Sequence, residues 1–577
     1  MFDQPLYGAV PPVTSGTDPL GTSPVNEMLY RTTFPGINNE VRFIRVYSAI
    51  CWMVGIITES ARQKRPNSLE ELTNRGLEKI QLLLSWYNWG QGVKPLAGNG
   101  RVFRKDAELV ELRFRSLLDN NARLARERDP DADINDGAHF LQPAQYRPGL
   151  FNGFAFIRES REVPDTYLLN EGGIEMAKAY EEAIVGHPLR DWLADLDLNH
   201  ASYEDVQAMS QMLDLCNPSN AEQEAFLKHY YPVSDYALPL PYWQNRHSGI
   251  TLALRAIQAE TTPSSLEGGK PVSVATIRHT MARGFTRQGH PLDLTNLESV
   301  QGIWSSLQLR QVFRRALDIL VRCTESWIKD AEISQRPREI VDCAESLGAS
   351  LEHALPPEHR SLVYEAVAMY EDLRGAYPSM SAAAPFVPEL GLDAFRERLR
   401  AVEEFKPLSE EHIEAFRAAY YTLIFCMLEV ESLATSPHFL LHHKGSEDLP
   451  LEPFCKVLRE FANRSPAELM THVIHHYVVS QHFKVIRRRT RDFQNRFRFM
   501  PGDNGLERSL HAKDLYVPFE LQDLLKHALY LLAQCGLVEM HDGSNFKLTE
   551  VGSERLAAYQ PPLSKEELAA QGLAEPA

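Results

Sequence analysis

Most of the chain has the spacing of apolar residues that is typical of α-helices. Apolar side chains recur at three- and four-residue steps over 43–57, which predicts a helix with one buried face. The same spacing predicts helices over 68–87 and 106–126. Residues 1–40 are rich in Pro, Gly, Thr and Ser and lack this periodicity, so they are expected to form an extended or disordered arm.

Two pairs of short strands interrupt the helical pattern. The first pair is expected within 149–173, where aromatic and aliphatic residues alternate with turn formers. The second is expected within 537–549, where LVEM and FKLT flank the turn-rich HDGSN. Helices are predicted before the second pair, over 468–487 and 519–534. Helices, then a two-stranded ribbon, then a further helix is the order of a winged-helix domain.

The two strand pairs end in similar sequences. Aligned without gaps, 167–180 and 546–559 are identical at six positions, including a glycine at the change from strand to helix. Glycine permits that abrupt change because it lacks a Cβ. The alternative is that any strand–glycine–helix junction matches this well by chance and shared periodicity. The identical pairs are Leu169/Leu548, Glu171/Glu550, Gly173/Gly552, Glu175/Glu554, Ala179/Ala558 and Tyr180/Tyr559.

The middle of the chain is predicted to be helical as well. The clearest helix covers 306–328, and others fit 362–373, 392–404 and 410–433. No repeat of solenoid length is visible, which favours a bundle. We therefore predict a mainly α fold, a helical bundle flanked by two winged-helix-like units with short β-hairpins. The predicted division is an arm (1–40), an N-terminal helical/winged-helix domain (41–182), a central helical domain (183–465), a C-terminal winged-helix domain (466–560) and a tail (561–577).

Composition narrows the class of protein. Of 577 residues, 44% are hydrophobic and 24% charged, which are ordinary globular values. The seven cysteines are scattered singly without CxxC, which predicts neither a disulfide framework nor a zinc knuckle. The most apolar run, 49–57, is half the length that spans a bilayer, and the N-terminus lacks an export signal. A cytoplasmic protein without membrane contact is expected.

The net charge of −17 should repel nucleic acid, so any contact requires a local reversal of sign. Residues 484–508 provide one, with eight Lys or Arg against three Asp or Glu and with phenylalanines between them. Arginines pair with phosphates and aromatic rings stack on bases. The alternative is that these arginines pair with acidic helices of this chain or of a partner. The candidate nucleic-acid-binding residues are Lys484, Arg487, Arg488, Arg489, Arg491, Arg496 and Arg498.

Motifs for catalysis and cofactor binding are absent from the sequence. No phosphate-binding GxxxxGK[ST] or GxGxxG and no GxSxG nucleophile elbow occurs. His472 and His476 share a helix face, but without HEXXH or an acidic third ligand a half-buried helix is favoured over a metal site. We predict no catalytic, cofactor-binding or metal-binding residues. The alternative is a metal-dependent nuclease with a dispersed site, for which Glu325/Lys329 and Glu403/Lys406 would supply carboxylates and lysines.

A winged-helix unit near each end with a helical middle is similar in outline to kleisin-type subunits, which bridge SMC-family ATPases. The segments 33–52 and 303–320 also resemble uncharacterised helical proteins of bacterial anti-phage defence clusters. We therefore expect a non-catalytic adaptor that docks proteins through its winged-helix units and contacts DNA non-specifically through 484–508. The resemblance implies that its partner is an SMC-type ATPase or a nuclease subunit of a bacterial defence or chromosome-handling complex. The chain departs from the kleisin outline because its middle is predicted to be folded. A winged-helix transcription regulator is a further alternative. The helix at 519–534 is nearly neutral, which argues against base reading in the major groove.

Overall fold

A computed structural model gives the fold, which is mainly helical: of the residues that it describes, 68% lie in helices and 7% in strands. It divides into two compact units, each discontinuous in sequence. Unit 1 comprises Met1–Leu29 and Arg278–Leu521, and unit 2 comprises Tyr30–Ile277 and Gln522–Ala577. The structure describes residues 18–38, 41–64, 69–93, 110–111, 140–141, 145–161, 166–232, 243–261, 269–287, 289–336, 338–376, 409–434, 436, 449–489, 497–509, 512, 514–517 and 524–559.

The elements are numbered here in chain order. The helices are α1 Ser23–Thr33, α2 Ile44–Lys64, α3 Leu69–Gly90, α4 Glu171–Ile184, α5 Arg190–Ala194, α6 Tyr203–Ala208, α7 Ser210–Leu213, α8 Asn220–Tyr230, α9 Trp243–Thr261, α10 Val274–Arg283, α11 Glu298–Ser334, α12 Ile340–Ala354, α13 Val363–Ala376, α14 Glu410–Leu433, α15 Leu451–Glu460, α16 Pro466–His472, α17 Gln481–Arg489, α18 Leu524–Gln534 and α19 Glu550–Ala557. Single turns of π- or 3-10 helix occur at Gly149–Gly153 and Pro357–His359, and a longer π-helix at Val473–Ser480 joins α16 to α17.

The strands are short and pair only locally, with two exceptions. They are β1 Val110–Glu111, β2 Ile157–Glu159, β3 Tyr167–Leu169, β4 His200–Ala201, β5 Val272–Ser273, β6 Phe499–Gly502, β7 Gly505–Arg508, β8 Val538–His541 and β9 Asn545–Leu548. All pairings are antiparallel: β2 with β3, β6 with β7, β8 with β9, and, over longer sequence separations, β1 with β4 and β5 with β9. The three-stranded sheet of unit 2 therefore has the order β5–β9–β8.

Several sequence predictions are confirmed. The two hairpins are present as β2–β3 and β8–β9. Helices predicted over 362–373 and 410–433 appear as α13 and α14. The region predicted as one helix over 468–487 is helical, but its middle is a π-helix. The helix predicted over 519–534 is described from Leu524 as α18, and it ends before Gly536, whose φ is 72°.

The prediction of an extended arm over 1–40 is wrong for its described part. Residues 23–33 form α1, and Leu20, Leu29 and Tyr30 are buried. The carboxylate of Asp18 accepts backbone hydrogen bonds from Gly21 (3.0 Å) and Ser23 (2.8 Å), which organises the turn into the helix. Pro24 lies in the first turn of α1, where proline is compatible with a helix, and the buried apolar face stabilises the helix. The segment is therefore helical despite its turn-forming composition.

The predicted domain boundaries do not coincide with the two units. The C-terminal domain predicted at 466–560 is divided, because its first helices belong to unit 1 and its hairpin to unit 2. Strand β5, which completes the sheet beside β9, lies far earlier in the chain. Predicted helices over 106–126 and 392–404 fall outside the described residues, except that 110–111 form strand β1.

The helix–strand arrangement around the two hairpins is repeated within unit 2. Helix α2 contacts both β3 and α4, and α9 contacts both β9 and α19 in the same way. Each hairpin is followed directly by a helix, α4 after β3 and α19 after β9. The registers also agree, with Ile157 opposite Leu169 in the first hairpin and Val538 opposite Leu548 in the second.

The junctions after the two hairpins share their hydrogen bonds. The backbone N–H of Asn170 donates to Phe156 O at 2.9 Å, and that of Thr549 donates to Leu537 O at 3.1 Å. The Nδ2 of Asn170 donates to Ala155 O, and the Oγ1 of Thr549 donates to Gly536 O, both at 2.8 Å. These carbonyls belong to residues with left-handed backbone, Ala155 (φ 51°) and Gly536 (φ 72°).

The matched glycines permit the close approach of helix and hairpin. A Cβ on Gly173 would lie 2.0 Å from Phe156 O, and a Cβ on Gly552 would lie 2.0 Å from Leu537 O. No side chain fits at that distance, so both positions require glycine in this backbone. The sequence match therefore marks one junction that is built twice.

A buried ion pair joins α2 to α8 inside unit 2. Glu222, with no exposed surface, accepts from Arg45 Nη2 at 2.6 Å and Nε at 3.2 Å. Its carboxylate also accepts from the backbone N–H of Ser219, completing a capping box at the start of α8. Arg45 Nη1 donates to two carbonyls near the end of α7, those of Gln211 and Asp214. Every charged atom of the pair is thus hydrogen-bonded, as burial requires.

Candidate nucleic-acid interface

The basic segment begins on α17 and returns to the body of unit 1 at β6. We define the basic loop as residues 484–497, which carry six Lys or Arg against one Asp. Residues just outside its two ends meet, because the backbone N–H of Arg498 donates to His482 Nε2 at 3.2 Å. His482 is fully buried, and its Nδ1 donates to Pro19 O at 3.1 Å. These two bonds fix the neutral tautomer of the imidazole and close the loop at its base.

Within the described part of the loop, basic and apolar positions lie on opposite faces of α17. Lys484 and Arg487 are exposed, whereas Val485 and Ile486 are buried. This alternation holds the helix against unit 1 while its cationic side chains face solvent. Of the other predicted contacts, Arg488 and Arg489 lie within α17 but their side chains are outside the described residues, as are Arg491 and Arg496 entirely.

The prediction is wrong for Arg498. Its side chain is only 4% exposed, and Nη2 donates to both carboxylate oxygens of Glu325, at 2.7 and 3.0 Å. The same nitrogen donates to Asp514 O. A guanidinium held this way presents no donor to a phosphate at the surface. The alternative of pairing with an acid of this chain is correct at this residue.

Glu325 is the centre of a buried cluster that anchors the base of the loop. It has no exposed surface and accepts from the backbone N–H of Tyr516 at 2.6 Å. Arg508, at the end of β7, places its Nε 3.5 Å from the same carboxylate. Hydrogen bonds to an ionised acceptor are about twice as strong as neutral ones. The sequence showed the charges of these residues but gave no sign that α11, β7 and the start of β6 meet.

Helix α11 buries a row of charged side chains at four-residue steps. The row consists of Arg310, Arg314, Asp318 and Arg322, all at most 5% exposed. Burial raises the pKa of Asp318 to about 6, although nearby Arg314 opposes the shift. Burial also lowers the pKa of Arg322 to about 10, and its Nη1 donates to Tyr516 O at 3.0 Å. The face of α11 opposite its apolar stripe is therefore interior, which periodicity alone did not predict.

The carboxylates considered for a nuclease lie in different settings. Glu325 is enclosed by guanidinium groups and backbone donors and has no exposed surface. Glu403 and Lys406 lie outside the described residues.

Three histidine rings stack around the π-helix before α17. The ring centroids of His472 and His476 are 4.4 Å apart, and those of His475 and His476 are 4.3 Å apart. His472 also packs on Phe461 at 4.9 Å. Burial, followed by the neighbouring imidazoles, lowers the pKa of His472 and His476. In the part of the chain that the structure describes, no group of three His, Cys, Asp or Glu side chains is placed to hold a metal ion.

Helix α18, which precedes the second hairpin, is packed inside unit 2. Seven of its 11 residues are buried and the other four are partly buried. His527 Nδ1 donates to Val41 O at 3.0 Å, and Tyr230 donates its hydroxyl to Ala528 O at 2.9 Å. Lys526 and Gln534 are half-buried, while 520–523 lie outside the described residues. The half-buried residues Lys526, Tyr530, Ala533 and Gln534 share one face of the helix, and this partly exposed face carries a single basic residue, which suits a major groove poorly.

Comparison with known proteins identifies no relative of the chain. No protein family, no curated protein and no solved structure matches the chain. Among the described residues no helix is both long and apolar enough to cross a membrane.

Proposed function

We propose that the chain is a non-catalytic adaptor subunit that contacts nucleic acid without sequence preference through the basic loop. The observation that carries this proposal is the closed base of the loop, where His482 and Arg498 meet above the buried Glu325. Lys484 and Arg487 lie on α17, whose buried face holds the helix in unit 1, so the cost of positioning these two cations is met by the fold and not by the ligand.

Electrostatics supports a sequence-independent contact. The whole chain carries −17, so phosphates are attracted only where cations are concentrated, as over 484–497. Lys484 and Arg487 are exposed on the described helix and provide long, flexible cationic groups. Such groups neutralise phosphates without reading base edges.

Protein docking is proposed for the two hairpin units of unit 2, and we interpret each as a winged helix. In the second, the chain order α9, β5, α10, α18, β8, β9 and the sheet order β5–β9–β8 are those of a winged helix. Residues 284–523 are then an insertion between its second and third helices. The largely buried α18, with one basic residue on its partly exposed face, favours a docking role over groove reading. From the resemblance, the partner is an SMC-type ATPase or nuclease of a bacterial defence or chromosome-handling complex.

Charge reversal tests the nucleic-acid contact. The double variant Lys484→Glu/Arg487→Glu should bind two unrelated labelled duplexes at least about tenfold more weakly, and to the same extent for both. The slope of log affinity against log salt should become shallower by roughly 1–2, since each phosphate contact contributes about 0.9. Fluorescence anisotropy over a salt series measures both quantities.

A matched control is available in the same unit. Lys456→Glu/Arg464→Glu makes an equal change in net charge on side chains that are 72% and 60% exposed, the first on α15 and the second just after it. It should leave affinity nearly unchanged. Equal losses in both double variants, or no loss in either, would contradict the proposal. Release of nucleotides by the isolated chain with Mg²⁺ or Mn²⁺ would contradict its non-catalytic part.

A further inference from the structure

A cavity of about 550 Å³ lies beside the first hairpin of unit 2. This volume is within the range of pockets that hold small ligands or a few residues of peptide. Its walls come from the turn before β2, from β2 itself and from the residue before α4. The lining residues are Arg147, Pro148, Phe151, Asn152, Ile157, Arg158, Glu159 and Asn170.

The two arginines of this cavity differ in their contacts. Arg147 is 30% exposed, donates to Glu159 at 2.6 Å and lies over the ring of Phe151 at 5.0 Å. The side chain of Arg158 is exposed and makes no ion pair or hydrogen bond with any residue that the structure describes. One cation of the cavity is therefore already neutralised by the chain, and the other is open to a ligand.

The remaining walls combine apolar surface with amide groups. Ile157 lines the cavity but has no exposed surface, so Pro148 and Phe151 supply the apolar surface that a ligand can reach. The Nδ2 of Asn170 donates to Ala155 O at 2.8 Å, which leaves its carbonyl oxygen to accept from a ligand. Asn152 is exposed at the rim. Amides of this kind pair with the N–H and C=O groups of a peptide backbone.

We propose that this cavity binds a short segment of a partner protein that presents a carboxylate next to an apolar side chain. The proposal rests on the docking role given above for the hairpin units. Arg158 receives the carboxylate, Pro148 and Phe151 receive the apolar side chain, and Asn170 holds the backbone. The charged lining residues sum to one positive charge, which suits a single carboxylate.

A nucleic-acid strand suits the site less well. Helix α4 begins directly after Asn170 and carries four Glu against one Lys. A polyanion passing the cavity would meet this acidic helix, whereas a peptide with one acid would not.

Glu159 provides an internal check on the binding chemistry. Its carboxylate already forms with Arg147 the type of contact that a ligand would form. Replacing Glu159 by Gln removes this competitor and raises the positive charge of the cavity. An acidic ligand should then bind more tightly, an effect that a purely structural role of Glu159 would not produce.

The test uses the full chain and small probes in ligand-observed NMR titrations. N-acetyl-phenylalanine carries the carboxylate and apolar ring, N-acetyl-phenylalanine amide lacks the charge, and thymidine monophosphate represents a nucleotide. The carboxylate probe should bind at least fivefold more tightly than the amide. Arg158→Ala should weaken it at least fivefold, and Glu159→Gln should strengthen it at least twofold. Arg161→Ala, which removes an exposed arginine that does not line the cavity, is the matched control and should change nothing.

The outcomes separate this site from the rest of the proposed function. Equal binding of the carboxylate and amide probes, or equal effects of Arg158→Ala and Arg161→Ala, would overturn the proposal. Binding of thymidine monophosphate in preference to the carboxylate would overturn it in favour of a nucleotide site. The variants Lys484→Glu/Arg487→Glu should leave probe binding unchanged. If the probe titrations fail while DNA binding still depends on Lys484 and Arg487, only the cavity proposal is refuted.

Discussion

Removal of the Glu325 carboxylate should destabilise unit 1 more than any change of a surface charge. Glu325 holds Arg498 by two hydrogen bonds of 2.7 and 3.0 Å and the backbone N–H of Tyr516 by one of 2.6 Å. Glu325→Ala leaves a guanidinium that is 4% exposed without its counter-ion. Breaking a buried pair from one side costs about 3–5 kcal/mol. We expect a loss of that size in the free energy of unfolding.

The double variant separates the pair from its surroundings. Glu325→Leu/Arg498→Met removes both charges and fills the same space with apolar side chains, a change that is often nearly neutral for a buried ion pair. Its loss should therefore be smaller than the sum of the single losses by roughly 1–3 kcal/mol. Glu325→Gln keeps one acceptor oxygen and should lose about 1–3 kcal/mol.

Equilibrium urea unfolding gives these free energies, and hydrogen exchange shows where they act. The two units need not unfold together, so the transition that moves must first be assigned. Peptides covering 497–509 should lose protection in Glu325→Ala. Glu345→Ala, an exposed acid on α12, is the control and should stay within about 0.5 kcal/mol. A loss below about 1 kcal/mol for Glu325→Ala, or strict additivity in the double variant, would refute the buried pairing.

The remaining predictions concern a buried acid of unit 2, the junction glycines and a titrating carboxyl. Glu222→Ala should lower the free energy of unfolding of unit 2 by about 3–5 kcal/mol in urea, because this unexposed carboxylate neutralises a buried arginine; a loss near zero would contradict the pairing. Gly173→Ala and Gly552→Ala should each cost roughly 1–3 kcal/mol, since the new Cβ would lie 2.0 Å from a carbonyl oxygen, whereas Gly186→Ala meets open space and should not destabilise. Asp318 has a folded pKa of about 6 against an ordinary 3.8, so its contribution to stability is complete below pH 3.8 and is lost as pH rises to 6; thermal unfolding across this range should show that slope, and Asp318→Asn should remove it.

Local elements could be predicted from the sequence wherever the signal itself is local. The hairpin β8–β9 follows from alternating side chains around HDGSN, and α14 follows from its apolar spacing. Strand β5 could not be predicted, because two residues carry no alternation and their pairing with β9 depends on tertiary packing. The helix α1 was missed because turn-forming residues outnumber apolar ones over 1–40.

The basic segment shows the same limit at the level of single residues. Its charge reversal is visible in sequence, and Lys484 and Arg487 are exposed as a charged run leads one to expect. Arg498 belongs to the same run, yet it is buried because a carboxylate from a distant helix meets it. Sequence gives the sign of each charge, whereas burial depends on which acid the fold places nearby.

The two junctions show why a match of six residues in sequence carried structural information. Leu169 and Leu548 each lie beneath the hypothetical Cβ of the matched glycine, at 3.2 and 2.9 Å. A junction with the glycine but without the leucine would leave the helix unsupported. A junction with the leucine but without the glycine would keep the helix from approaching the hairpin. Chance identity does not explain why the matched leucine lies beside the matched glycine in both copies. The match therefore reflects one backbone geometry that occurs twice. In the second copy the two-residue strand β5 also pairs with β9, and β5 has no sequence signal of its own.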